Sequence, residues 1–515
     1  MSSKSSPPED PAPEGALGRR ITSEVMVTSS LHAVALASDL LFTAILARLL
    51  LPADYGVVAA AMVFIAFCNL LREVGIGATI IQLPTLTADD QRTGTTLVMI
   101  VSALIFAMAQ LLAPAFAAFM DLLAAEPVLR ALSLIIVIQG FASVSEGLLL
   151  RALKVRKVMT VELISKFLAY ATVGIGMAAT GFGYWALVGA MLCDAVLRSI
   201  VLVALARPSL KPQLNFTAAR RLLTVGGGFT LSRVINFIAL RADVVVIGRY
   251  LDSASLGLYS RAYKLMSLPT DLYNKVADRV VFPAYASVQG EPERLCSAYL
   301  QGVSLTALLG VPMAPILYLL APEIVDVLLG PGWIGAVPIF SVLGLSIYFR
   351  LGARVSGALL RATGSVGQLV FNQTFYAVLT IGGSLVAVRF GIVAVGAAIA
   401  LAVGLWFCLI TVQACRRVNV PIRTFLAAHV RGLILAVGTT ALVCSVILPL
   451  RSLGFSSIII LLAVGLVLSI IGFVLVRWRP RRLLGKEGTE LATQVASFTA
   501  TTLRRLESWE ASRAV

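Results

Sequence analysis

The chain has 515 residues, of which 58% are apolar and only 13% charged, and its mean hydropathy is +0.92. A water-soluble domain carries about 25% charged residues, so this chain has about half the charge needed to cover a wet surface. A soluble enzyme, a disordered chain and a nucleic-acid-binding protein are thereby excluded despite the net charge of +16, and a polytopic membrane protein remains.

The chain opens on a polar, Pro-rich tail, residues 1–20, with no short apolar stretch followed by a cleavage site, so it does not read as a signal peptide. A helix needs about 20 apolar residues to cross a bilayer core. Fourteen segments qualify, near 25–48, 56–81, 94–118, 128–150, 158–180, 183–206, 222–248, 255–287, 298–320, 333–360, 366–388, 391–414, 428–449 and 455–476. Strands of a barrel would instead alternate over about ten residues. The predicted fold class is an all-α membrane protein of about 14 transmembrane helices. The eighth segment is long, charged and interrupted by Pro269, which predicts a broken or kinked helix.

With the N-terminus placed in the cytoplasm, the cytoplasmic loops hold Arg151, Lys154, Arg156 and Lys157, then Arg207 to Arg221, Arg416 to Arg431 and the tail from Arg477. The opposite side holds only Arg48, Arg249, Arg389 and Arg451. By the positive-inside rule both termini are cytoplasmic. In the tail, Leu491, Val495, Phe498, Leu506 and Trp509 share one helical face, suited to the inner leaflet or simply to a solvated helix.

Three pairs of stretches repeat in the same order at nearly constant offset. Arg48-Leu-Leu-Leu-Pro-Ala-Asp-Tyr-Gly56 matches Arg249-Tyr-Leu-Asp-Ser-Ala-Ser-Leu-Gly257, and Gly147-Leu-Leu-Leu-Arg-Ala152 matches Gly357-Ala-Leu-Leu-Arg-Ala362. Phe182-Gly183 and the residues to Gly189 match Phe390-Gly391 and those to Gly396, with a one-residue slip. An even number of spans per half makes this a parallel repeat, the kind between whose halves transporters commonly place a substrate path. The expected organisation is an N-terminal six-helix bundle (21–210), a C-terminal six-helix bundle (211–424), two additional helices (425–477) and a basic tail (478–515).

Charges inside spans are costly and face a cavity or a partner. Arg72, Lys166, Arg198, Lys275, Arg279, Arg350 and Arg354 fall in the cytoplasmic half, Arg233 lies near mid-depth, and Arg241 shares its span with Asp243. Cations outnumber anions there, which points to a wet basic cavity whose guest is an anion, with Arg suited to gripping phosphate oxygens in pairs. The candidate substrate-binding residues are therefore Arg233, Arg241, Lys275, Arg279, Arg350, Arg354, Arg72 and Arg198. The plainer reading is structural: Asp194–Arg198 and Asp271–Lys275 stand four apart and can neutralise each other, while Arg279 and Arg354 are near enough to the boundary to snorkel. Gly226-Gly227-Gly228 suits close packing or a bend and is not a phosphate loop. His32 and His429 lack metal-ligand spacing, the six Cys are scattered, and no Walker motif occurs, so no metal, cofactor or catalytic residue is expected.

Gly248-Arg-Tyr-Leu-Asp-Ser-Ala-Ser-Leu-Gly-Leu-Tyr259-Ser-Arg-Ala-Tyr263 with Leu268-Pro269, then Phe282-Pro-Ala284, Glu293-Arg-Leu295 and Tyr299, resemble the polysaccharide transporters of the multidrug/oligosaccharidyl-lipid/polysaccharide exporter superfamily. Glu73-Val-Gly-Ile-Gly77 with Ile81-Gln82 is similar to the same family, and the likeness covers roughly residues 20–480, nearest to the fourteen-helix Wzx-type flippases. The resemblance implies two pseudo-symmetric six-helix bundles plus two extra helices. It implies movement of an undecaprenyl-diphosphate-linked oligosaccharide across a bacterial inner membrane by alternating access, with coupling to an ion gradient left open. Its partners would be membrane lipid, a polysaccharide polymerase and export machinery, and no nucleic acid. The family's lumen cations correspond here to Arg233, Arg241, Lys275 and Arg279. Two alternatives stay open: a cation-coupled drug exporter of the same superfamily, suggested by Asp39 and Asp243, or a membrane glycosyltransferase or polymerase. The orientation makes a direct prediction. A green fluorescent protein fused at the C-terminus should fluoresce, and alkaline phosphatase inserted at Gly181–Gly183 should be active; the reverse pattern overturns it.

Overall fold

The computed structural model describes residues 14–72, 79–80, 83, 86–209, 211–220 and 230–477, and of 14–29, 230–236, 239, 275–276, 279, 366 and 474–477 the backbone only. The N-terminal tail to residue 13, the residues 73–78 and 81–82, the three glycines 226–228 and the apolar face of the C-terminal tail lie outside the described residues.

The described residues are helical, with short turns between. In chain order they form α1 (Glu14–Leu49), α2 (Pro52–Arg72), α3 (Ala88–Phe119), α4 (Ala125–Arg151), α5 (Val155–Ala179) and α6 (Trp185–Ala206). There follow α7 (Thr230–Tyr250), α8 (Ser253–Val276), α9 (Pro292–Leu319), α10 (Ala321–Leu328), α11 (Val337–Leu345), α12 (Ile347–Ala362), α13 (Val366–Ala387), α14 (Ile392–Arg417), α15 (Val430–Ser452) and α16 (Ser457–Arg477). Eleven helical stretches among the described residues are long and apolar enough to cross a membrane by length and composition. Each satisfies its backbone polar groups within itself, which hydrocarbon demands. α8 is outside that set, because Arg261, Lys264 and Asp271 dilute its apolar character.

Pro269 does not break α8 as expected. The helix runs through it, and the irregularity comes later, as a π-helical turn at Ala277–Val281 before a last helical turn at Phe282–Ser287. One missing N–H is tolerable in a helix packed by neighbours, whereas a π turn inserts a residue and re-aims all that follow. A second π turn, Tyr170–Gly174, interrupts α5.

Contacts divide the chain into two compact units. The first comprises Met1–Leu50, Phe64–Ala118 and Leu123–Thr230; the second comprises Leu51–Val63, Phe119–Leu122 and Leu231–Val515. In the first, α4 packs along α6, and Ser199 on α6 donates to the backbone oxygen of Ile138 at 3.0 Å. In the second, α9, α12 and α14 share a core of Tyr285, Tyr299, Val355, Leu359 and Ile410. The hydroxyls of Tyr299, Ser356 and Thr411 are linked through it at 3.0 and 3.2 Å. α15 and α16 pack on the end of α9 through Leu320, Val443, Ile447, Ile460 and Val464. His429 is packed as a polar core residue, with its Nε2 against the Tyr348 hydroxyl and its Nδ1 on the Phe425 carbonyl oxygen.

The first matched pair of the repeat meets itself inside the second unit. A Cβ built on Gly56 would lie 1.7 Å from the Ser253 carbonyl oxygen, and one on Gly257 would lie 1.8 Å from that of Pro52. Positions 52 and 253, like 56 and 257, correspond at the repeat's offset. The contact is thus reciprocal, as a local two-fold axis requires. The caps just before it exchange roles. In the first copy the Leu51 N–H donates to Asp54 Oδ2 at 2.9 Å; in the second the Ser255 N–H donates to Asp252 Oδ1 at 2.8 Å. The same two positions cap both helices, with the carboxylate moved from one to the other.

The second matched pair ends alike as well. The N–H groups of Ala152, Leu153 and Lys154 donate to the oxygens of Leu148, Leu150 and Leu149, and those of Thr363, Gly364 and Ser365 donate to Leu359, Arg361 and Leu360. The structural offset is one residue larger than the sequence match suggests, and it pairs Leu153 at φ +55° with Gly364 at φ +68°. A Cβ at Gly56 or Gly257 has nowhere to go but into backbone. Gly56→Ala or Gly257→Ala should each lower stability by about 2 kcal/mol or more, read as a fall in the Tm of detergent-purified protein. Gly176→Ala, which meets nothing within 4 Å, should be neutral or stabilising.

Candidate functional site

In the first unit two of the expected cations, Lys166 and Arg198, are answered by carboxylates. Lys166 Nζ on α5 lies 2.5 Å from Asp39 Oδ1 on α1. Arg198 on α6 donates through one Nη2 to both carboxylate oxygens of Glu146 on α4, at 3.0 and 3.2 Å, and Glu162 lies 3.9 Å from its other terminal nitrogen. The i, i+4 pairing of Asp194 with Arg198 does not form. Arg198 reaches across to α4 instead, and Asp194 is left with Oδ1 buried and without a hydrogen-bond partner. Arg72, at the end of α2, donates from Nε to Asn69 Oδ1 at 3.2 Å.

In the second unit the pattern is different. Arg350, Arg354 and Arg361 follow one another along a single face of α12, at i, i+4 and i+11. The contacts at both ends turn this face toward α8 and its π turn. Arg361 Nη2 pairs with Asp278 Oδ1 at 2.9 Å and its guanidinium lies over the Phe282 ring at 5.8 Å. Arg350 lies over the Tyr263 ring at 5.4 Å and donates only long bonds, 3.4 Å each, to the Tyr263 hydroxyl and to Ser346 Oγ. Arg354, half-buried between them, feels Asp271 and Asp278 on one side and Arg361 on the other. The line thus runs from a guanidinium buried among tyrosines to one exposed and ion-paired. Planar guanidinium groups spaced one and then two turns apart on one face present forks of donors suited to phosphate or carboxylate oxygens.

Of the other expected residues, Arg241 on α7 is exposed. Arg233 lies on α7, Lys275 at the end of α8 and Arg279 in the π turn, and their side chains lie outside the described residues. The structure therefore brings Arg350 and Arg354 together and ties Arg198 to a carboxylate. Three contributors escaped the sequence reading. Arg361 stands seven residues beyond Arg354, so helical spacing alone could have added it. Glu146 and Glu162 carry no such signal, because their partner is 52 residues from one and 36 from the other.

Two carboxylates of α10 are structural. Glu323 on α10 is 3% exposed and is held by Arg451 of α15, Nε to Oε1 at 2.7 Å and Nη2 to Oε2 at 2.8 Å. Asp326 Oδ2 accepts from Ser457 Oγ at 2.6 Å, tying α10 to α16.

Helices of this number and length define a multi-pass membrane protein. The structure superposes on the lipid II flippase MurJ in an inward closed conformation with a TM-score of 0.67 at 15% identity, over 87% of this chain and 99% of that one. It superposes on an inward-facing multidrug resistance MATE family transporter with a TM-score of 0.59 at 15% identity, over 73% and 94%. Residues 45–338, more than half of the chain, match the polysaccharide biosynthesis protein family, and the chain belongs to that family. It is 30% identical over 312 residues to the succinoglycan biosynthesis transport protein ExoT of Rhizobium meliloti, covering 59% of this chain and 61% of the relative. It is 24% identical over 352 residues to the lipopolysaccharide biosynthesis protein WzxC of Escherichia coli, covering 66% and 70%. The match thus spans about three fifths of ExoT's length and somewhat more of WzxC's.

The Arg198–Glu146 bond joins two partners each about a quarter to a third exposed. A double-mutant cycle with Arg198→Gln and Glu146→Gln should give a coupling of about 1 kcal/mol. Additive losses of Tm in the cycle would mean that the pair does not hold α4 to α6.

Proposed function

We propose that the chain is a flippase that moves an undecaprenyl-diphosphate-linked oligosaccharide from the inner to the outer leaflet of a bacterial inner membrane. Fourteen membrane-spanning helices, two six-helix bundles and two extra helices, with both termini cytoplasmic, complete the reading. The observation that carries it is the arginine line of α12. A diphosphate cannot enter hydrocarbon unaided, since one charge at mid-membrane costs several kcal/mol. A lipid tail can remain in the bilayer while its diphosphate passes along donors that are fixed, desolvated and incompletely paired. Arg354, flanked by Arg350 and Arg361, is such a donor, and Arg361 can exchange Asp278 for phosphate because both partners are 40–53% exposed. Membership of a polysaccharide biosynthesis family, and relatives described as transport and lipopolysaccharide biosynthesis proteins, support the substrate class. Arg233, Lys275 and Arg279 are proposed to extend the line from α7 and α8.

The reciprocal crossing at Gly56 and Gly257 supports alternating access. The contact lies inside the second unit and joins equivalent positions of the two repeats, as parallel-repeat transporters that work by alternating access are built. Of the two acids that suggest a drug exporter, Asp39 is committed to Lys166, while Asp243 is buried with only Tyr259 and Val244 as hydrogen-bond partners and keeps that reading open. A glycosyltransferase would want free carboxylates outside, and Glu323 is buried under Arg451.

In proteoliposomes the protein should move labelled lipid-linked oligosaccharide between leaflets without changing the sugar's mass. Arg354→Glu should lower that rate about tenfold or more, as loss of ~1.4 kcal/mol or more of phosphate contact requires, with the protein level in the membrane unchanged. Arg233→Glu and Lys275→Glu should abolish polysaccharide export in cells. Full export by all three variants would remove the anion path, and a changed sugar mass would make the protein an enzyme.

A further inference from the structure

The duplicated turn at the end of α4 carries its own control. Both copies close it with the same capping bonds, at a structural offset that sets Leu153 against Gly364. At that offset Leu153, Lys154, Arg156 and Lys157 stand where the second copy has Gly364, Ser365, Gly367 and Gln368. The left-handed backbone here favours glycine, and Gly364 adopts it at φ +68°. Leu153 holds φ +55° without that freedom, and its side chain is 84% exposed. The turn itself therefore needs neither the leucine nor the cations.

The helix does not need them either. Lys154 is the N-cap of α5, and Arg156 and Lys157 lie in its first turn, the end where the helix dipole disfavours positive charge. All three are exposed, and none forms an ion pair among the described residues. The acids at this end of the unit are already spent. Asp90 is buried and accepts the Thr87 hydroxyl at 2.8 Å, and Asp89 Oδ1 accepts from Gln213 Nε2 at 3.0 Å. Leu148, near the end of α4, packs with Ile80, Leu86 and Leu97 at the start of α3. The segment after α6 is tied to that same start, by Arg92 Nε on Ser209 Oγ at 3.0 Å and by the Asn215 N–H on Thr93 Oγ1 at 3.2 Å. On that segment Phe216 is 84% and Leu214 61% exposed, and Lys211 is exposed as well. One end of the first unit thus presents bare apolar tips among uncancelled cations.

We propose that this end of the first unit is a docking surface for acidic phospholipid: Leu153 and Phe216 enter the apolar edge of the leaflet, while Lys154, Arg156, Lys157 and Lys211 hold headgroup phosphates. Cations set beside an apolar anchor favour an anionic leaflet over a zwitterionic one. An anion at the start of α5 also meets the free N–H groups of its first turn, so the charge that the helix dipole disfavours there is answered once a phosphate is bound. Topology alone does not explain the patch. Holding a loop on one side of a membrane takes charge, not an exposed leucine in a backbone conformation suited to glycine. The surface uses none of the arginines of α12 and does not rest on the flippase reading.

Native mass spectrometry tests this on the full-length protein. Released from micelles that hold phosphatidylglycerol and phosphatidylcholine in equal amounts, the protein should retain phosphatidylglycerol in preference. Removing the cations together, Lys154→Gln with Arg156→Gln and Lys157→Gln, should weaken that binding about tenfold or more. Leu153→Gly installs the residue that the second copy carries in the same turn. It should leave the Tm of lipid-free protein unchanged or higher, because the backbone is relieved, and yet weaken phosphatidylglycerol binding about tenfold. Unchanged binding in either variant, or a lower lipid-free Tm for Leu153→Gly, overturns the proposal. Equal retention of the two lipids overturns it too, and leaves the patch to a protein partner indifferent to headgroup charge.

Discussion

Charge inside a set of apolar helices has to be answered by something, and the two units answer it differently. In the first, Lys166 finds Asp39 and Arg198 finds Glu146, so these two cations are tied to other helices and act as fasteners. In the second, Arg350 has hydroxyls and a ring face but no carboxylate, and Arg354 has only distant acids. Withholding the partner has a cost in stability, which the Tyr263 ring partly offsets through cation–π attraction to Arg350. The end of α10 repeats the first solution: Glu323 and Arg451 bind α15 to α10 through a doubly bonded pair.

The irregular turns serve the same end. A straight α-helix from Ser253 to Ser287 would carry Asp271, Asp278 and Phe282 around the axis in a fixed order. The π turn at Ala277–Val281 resets the phase, so that Asp278 and Phe282 both reach Arg361. Where the helix surface meets a functional partner, a local departure from regular winding places side chains that periodicity alone could not.

Much of the helical architecture was legible in the sequence, because a stretch of about 20 apolar residues has one stable solution in lipid. Among the described residues, eleven stretches meet the strict length and apolarity of a span. The repeat was legible at Gly56 and Gly257, where only a glycine permits the approach. It was read one residue out of step at Arg151, because Leu-rich helix ends look alike and only the capping bonds reveal the register. The charge pairs were not legible. Spacing of four suggested Asp194 for Arg198, but two groups on one helix meet only if no better partner lies across the interface, and Glu146 does. The face formed by Arg350 and Arg354 was legible, since it is set within one helix.

A self-complementary contact has a consequence beyond packing. Because residues 52 and 56 of one copy touch 257 and 253 of the other in matching fashion, a chain of half this length could have made the same junction with a second molecule of itself. The two caps, with their acids at opposite positions, show how fusion then frees each copy to drift: once both are encoded in tandem, an interface that began as identical on its two sides need only remain compatible.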